Sequence, residues 1–305
     1  MRLLVYGAGV IGGLYASLFA QAGYKVSLYA RGKRLESLRQ HGLCYERKGK
    51  LYQADIQLIA TLSDEERYDF IFLTVKENQV RQALAELAQN ISPTIVTMVN
   101  TLTPYHEWAS ICGEGRLLPA FPGAGGSYQD GVLKAELTPR FMQMTTFGEI
   151  DGKPSARLGG LAGLFKGAKI PYQVVKDMQS WQLCHLAMVI PLADAYYQAT
   201  CPQTVWRERA IMEETARKIQ NNLQALYQLG TPLLPWQVRL MRQLPLGLFR
   251  LILKGLFASR LGETFMYQHA MKATDEMQDL HKQFYHDLKG RQSSVEGWER
   301  YGKKI

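Results

Sequence analysis

The run Gly7-Ala8-Gly9-Val10-Ile11-Gly12 follows directly on the apolar stretch Leu3 to Tyr6, and this junction constrains the chain more than any other feature. Beyond it, Leu14, Ala16, Leu18, Phe19 and Ala22 recur at helical spacing until Gly23, and Lys25 to Ala30 reads as a second strand. A strand, a GxGxxG turn, a helix and a strand form a βαβ unit, the context in which the motif carries meaning. Gly7 permits the tight turn, Gly9 lets the backbone approach a pyrophosphate, and Gly12 lets the helix lie close on the strand. The helix N-terminus adds unpaired N–H groups and a positive dipole end. Gly7, Ala8, Gly9, Val10, Ile11 and Gly12 are therefore the expected dinucleotide cradle.

The same opening residues fail as a secretion signal. They carry one basic residue, Arg2, interrupt the apolar core with glycines, and show no separate small-residue cleavage site. The most apolar windows, Leu183 to Ala195 and Leu244 to Phe257, are shorter than the roughly 18 residues of a membrane span or carry Arg250 and Lys254. A cytoplasmic protein with no membrane partner is expected. Cys44, Cys112, Cys184 and Cys201 are scattered without metal-like spacing, so buried free thiols and no metal are expected.

The end of the second strand indicates which dinucleotide binds. An NAD site places an Asp or Glu there to accept from the ribose 2′-hydroxyl. This chain has Arg31, 19 residues past Gly12, then Lys33 and Arg34, with no acid before Glu36. A guanidinium pairs with a 2′-phosphate in a forked geometry, whereas a carboxylate repels it. NADP(H) is expected, with Arg31 as first contact and Lys33 or Arg34 assisting; the other reading is a solvated basic turn.

Further strand signals at Tyr68 to Val75 and Thr94 to Val99 flank a helical pattern from Asn78 to Gln89. This alternation predicts an α/β fold: an N-terminal Rossmann-type, doubly wound parallel sheet, residues 1–176. Ligands sit outside the carboxyl ends of such strands, which puts Lys76 and Asn100 at the cofactor mouth. Leu117 to Phe121, Gly131 to Leu137 and Phe141 to Glu149 read as more strands, and Phe121 to Gly126 as either a plain loop or a place of close backbone approach. From about Met178 the spacing is helical in four stretches: Gln182 to Tyr197, Glu208 to Leu229, Gln237 to Leu256 and Phe265 to Leu288. An all-helical C-terminal domain, 177–305, is expected for substrate and dimerisation, with a polar, loosely held end from Gly290.

A GxGxxG start, an Arg after the second strand, the Thr74-Val75-Lys76 run, Asn100 after another strand and a helical second domain together resemble the ketopantoate reductase (2-dehydropantoate 2-reductase) family. The resemblance implies NADPH-dependent reduction of a small 2-keto acid, in a pathway leading to pantothenate. It also implies that Lys76 and Asn100 lie near the ribose and nicotinamide. Asp275-Glu276-Met277 resembles the family's Thr-Glu-Ile segment, which gives Glu276 a place in the substrate site. A homodimer through the helical domain is compatible with it.

The family pattern breaks at its catalytic helix, where a Trp-x-Lys is followed four residues later by Asn. Anchored on Trp181, those positions hold Leu183 and Ala187; anchored on Pro191-Leu192, they hold Gln182 and Leu186. Neither register supplies the lysine that donates the proton. His185, one turn past Trp181, is the candidate replacement, since an imidazole of pKa about 6.5 transfers protons near neutrality; the other reading is a core histidine. The alternatives are a reductase of a different carbonyl substrate and a catalytically silent NADP-binding redox sensor. The net charge of +9 raises a nucleic-acid partner, but the basic residues are dispersed and no nucleic-acid motif accompanies them, so none is expected.

Overall fold

A computed structural model of the chain describes residues 1–272 and 274–291; the polar end of the chain, 292–305, lies outside the described residues. The contacts divide the chain into two units, Met1–Met178 and the part from Gln179 onward.

In the first unit the strands are β1 (Arg2–Tyr6), β2 (Lys25–Tyr29), β3 (Cys44–Arg47), β4 (Lys50–Gln53), β5 (Gln57–Ile59), β6 (Phe70–Leu73), β7 (Ile95–Met98), β8 (Leu117–Phe121), β9 (Ala124–Gln129), β10 (Val132–Leu137), β11 (Thr145–Phe147) and β12 (Tyr172–Val174). Its helices are α1 (Val10–Gln21), α2 (Gly32–His41), α3 (Val80–Leu87), α4 (Tyr105–Cys112) and α5 (Ala156–Gly167). Eight strands form one sheet in the order β12-β11-β8-β7-β6-β1-β2-β5, parallel except where β11 meets β8. The strand order reverses between β6 and β1, and the glycine turn leaves the end of β1 at that point.

The apolar runs are buried because a parallel sheet is covered on both faces. One face is an aromatic cluster centred on Phe165 of α5. Its ring lies 5.3 Å from Phe147, 6.0 Å from Phe19 and 6.1 Å from Phe72. Ile71 and Leu73, which alternate with Phe70 and Phe72 along β6, are fully buried as well. At the amino-terminal edge of the sheet, Arg116 donates to five backbone carbonyls, those of Leu87, Ala88, Asn90, Ser92 and Cys112. It thereby caps the ends of both α3 and α4, whose last carbonyls have no helical partner.

A second sheet, β4-β3-β10-β9, was not expected from sequence. It contains the glycine-dense segment, and the close backbone approach there is internal. A Cβ at Gly126 would stand 2.3 Å from the Lys134 carbonyl oxygen, and one at Gly123 would stand 2.6 Å from the Thr145 nitrogen.

Glu149, after β11, is 5% exposed and held by Arg157 and Ser155 at the start of α5. Burial opposes its charge, but the hydrogen bonds from Arg157 and Ser155 outweigh it and hold the carboxyl below its ordinary value.

The second unit is helical: α6 (Met178–Gln198), α7 (Arg209–Gln228), α8 (Trp236–Gln243), α9 (Leu246–Phe257), a wide turn over Gly262–Tyr267, α10 (Gln268–Lys272) and α11 (Thr274–Arg291). Pro245 separates α8 from α9, where the sequence had suggested one stretch. Among the described residues, no helix is long and apolar enough to cross a membrane.

Pro191 stands inside α6 and has no N–H to give the carbonyl of Ala187 four residues back. Asn222 of α7, fully buried, donates its Nδ2 to that carbonyl at 2.9 Å. A second buried polar contact joins α11 to α6, where Nδ1 of His281 lies 3.0 and 3.2 Å from the two carboxylate oxygens of Asp194.

Asn222→Leu is expected to cost about 1–3 kcal/mol in chemical denaturation. The loss should shrink in a Pro191→Ala background, where a backbone N–H returns to the Ala187 carbonyl; an equal loss in both backgrounds would refute this role. Glu149→Gln should cost about 3 kcal/mol at neutral pH. Because the folded carboxyl is depressed, its contribution is present above the unfolded value of 4.5 and fades as pH falls through the folded one. Urea midpoints of wild type and variant should therefore converge in acid.

Candidate functional site

The glycine turn is built by close contact with β6. Gly7 has φ +120°, and a Cβ there would lie 2.8 Å from the Thr74 carbonyl oxygen. A Cβ on Gly12 would stand 1.8 Å from the Gly7 carbonyl oxygen and 2.5 Å from Thr74 Oγ1. That hydroxyl donates to the Gly7 carbonyl at 2.8 Å, so β1, β6 and α1 meet at one point.

Gly9 differs from both. Its backbone is extended, and apart from its two chain neighbours no residue comes within 4 Å of where its Cβ would be. Packing within the protein therefore does not explain the small residue, whereas close approach of a phosphate group to the backbone does. The first turn of α1, which includes Val10 and Ile11, carries no acidic side chain, so its positive end is unopposed. These residues fit the pyrophosphate of a dinucleotide.

The other cofactor candidates stand at the carboxyl ends of neighbouring strands. Arg31 caps α2 just after β2 and is half-exposed. Lys33 is exposed in the first turn of α2. Arg34 is committed elsewhere: its Nε donates to the Ala8 carbonyl at 3.1 Å, and its guanidinium lies 3.9 Å from the Tyr128 ring centre. Lys76 is exposed beyond β6, capping a short turn over Glu77–Gln79. Asn100 is buried beyond β7.

The sequence did not reveal the surroundings of Arg31. Its Nη1 lies 3.2 Å from Oε1 of Glu86 on α3, which also accepts from Gln82 Nε2 at 3.0 Å. The other carboxylate oxygen accepts from the hydroxyl of Tyr6, the last residue of β1. Tyr6 stacks on Tyr29, the last residue of β2, with centroids 4.3 Å apart. Burial, reinforced by the bond to Glu86, pushes the Tyr6 phenol well above its ordinary range, so it stays a donor. Arg31 and Glu86 are 55 residues apart, and no local pattern links them.

In the helical unit, His185 is buried in α6 and stacks flat on Trp181, centroids 5.3 Å apart and planes 6° apart. One face of the imidazole is thus fixed by the indole a turn earlier. Glu276 lies in the first turn of α11 and is partly exposed.

The family model described as Ketopantoate reductase PanE/ApbA matches residues 3–152. The chain is 28% identical over 178 residues to a 2-dehydropantoate 2-reductase of Archaeoglobus fulgidus, covering 58% of this chain and 57% of that one. It is 30% identical over 134 residues to a 2-dehydropantoate 2-reductase of Mesorhizobium japonicum, covering 42% of this chain and 41% of that one. The chain thus spans about half the length of the curated relatives it matches. Among solved structures, the PanE/ApbA family ketopantoate reductase of Ralstonia eutropha JMP134 shares the fold, with a TM-score of 0.67 at 15% identity over 95% of this chain and 99% of that one. Residues 3–152, which include the glycine turn, thus match the ketopantoate reductase family.

Proposed function

We propose that the protein is an NADPH-dependent reductase of a small 2-keto acid, with ketopantoate (2-dehydropantoate) as the default substrate. The observation that carries this is Gly9, a position in the turn whose missing side chain serves no protein neighbour, inside the stretch that matches the family. Gly7 to Gly12 hold the pyrophosphate and Arg31 the 2′-phosphate, with Lys33 assisting. Lys76 and Asn100 bind toward the ribose and nicotinamide. The bound cofactor supplies the hydride.

Reducing a ketone builds negative charge on its oxygen, which a protein donor must meet. We assign that proton to His185, whose ring orientation Trp181 fixes, and assign Glu276 to the substrate's polar groups. The competing reading is a silent NADP-binding redox sensor. It draws on the absence of lysine and asparagine at the family's catalytic positions, where Leu183 and Ala187, or Gln182 and Leu186, stand instead.

NADPH consumption with ketopantoate and a panel of small 2-keto acids tests the proposal. Turnover is expected, and His185→Ala should lower kcat by about 10²- to 10⁴-fold with NADPH binding unchanged. Tight NADPH binding without turnover on any substrate would decide for the silent protein. Gly9→Val tests the cradle separately. Its melting temperature should stay near wild type, because no protein neighbour is displaced. Its NADPH affinity should fall by about 5- to 150-fold, the effect of about 1–3 kcal/mol of overpacking.

A further inference from the structure

The carboxylate beside Arg31 occupies a position with chemical consequences. Glu86 reaches the carboxyl ends of β1 and β2 from α3, so this sheet edge presents a guanidinium and a carboxylate together. Three donors fix the carboxylate: Arg31 and Gln82 on Oε1, and Tyr6 on Oε2. Tyr6 cannot swing away, since it is 2% exposed and stacked on Tyr29. The Arg31 guanidinium is the exposed partner, with a side chain 46% exposed and 5.7 Å from the Tyr29 ring centre.

The two charges act oppositely on the two nicotinamide dinucleotides. A 2′-phosphate must draw Arg31 off Glu86 and then lie near a carboxylate held in place by Tyr6 and Gln82. A ribose 2′-hydroxyl meets no such repulsion, and a carboxylate can accept its proton in a hydrogen bond. Acids with that role come from the end of the second strand in NAD sites; here the carboxylate comes from a helix 55 residues away in sequence.

Resting on the reading of Arg31 as the 2′-phosphate contact, we propose that Glu86 is a specificity-determining residue that opposes the NADPH preference Arg31 would confer alone, so that the site accepts NADH as well. Removing the charge while keeping the shape, as in Glu86→Gln, frees Arg31 for the phosphate and lifts the repulsion. The pair is largely solvated, so a moderate effect is expected.

The test is direct titration of wild type, Glu86→Gln, Arg31→Ala and the double variant with NADPH and with NADH at one ionic strength. Glu86→Gln should bind NADPH about two- to fivefold tighter and NADH no tighter, raising the preference ratio. In the Arg31→Ala background most of that gain should vanish. A merely structural role would weaken both nucleotides together and leave the ratio unchanged. Wild-type binding of either nucleotide with a ratio unmoved by Glu86→Gln overturns the inference and leaves the dinucleotide site standing. Binding of neither nucleotide by wild type overturns both.

Discussion

The glycine turn of the first unit depends on one close contact. The Gly12 Cα lies against the Gly7 carbonyl, and Thr74 locks that carbonyl from β6. No side chain fits between them, so α1 is drawn down where the strand order reverses. The first turn of that helix then stands just past the carboxyl end of β1. A looser packing would turn the helix axis, and with it the dipole that favours an anion.

The helical unit meets a different demand. Its α6 carries a proline, a buried aspartate and a flat aromatic stack within a few turns, and other helices answer the first two. Asn222 of α7 serves the carbonyl that Pro191 leaves, and His281 of α11 serves Asp194. Buried polar groups of this kind are costly when unmet, so they fix how the helices register as well as stabilise them. The position of His185 inherits that register, because it stands on the same helix two residues before Ala187.

The features legible in sequence were those written within one element or between adjacent ones. The apolar runs of β1, β2, β6, β7 and β8 and the glycine turn are local, and each appears in the fold. The second sheet was not legible because β4 is exposed and β9 begins among glycines, so neither shows alternation. Its joining pair, Leu133 and Tyr45, is 88 residues apart. Among the candidate site residues, Gly7 to Gly12 and Arg31 are suggested by motif spacing alone. Glu86 is not, because its meaning comes only from the strands that bring Tyr6 and Tyr29 together beneath it.

Arg116 shows how the sheet divides its two edges. It binds five carbonyls at the amino-terminal edge, with five N–H donors in one rigid plane. A lysine offers a single nitrogen and cannot span that set. The edge opposite the glycine turn is thus pinned by one multiply bonded cation. In an evolving lineage this arrangement separates foldability from innovation: a change confined to the loops at the carboxyl edge leaves the guanidinium and its five carbonyls at the other edge in place.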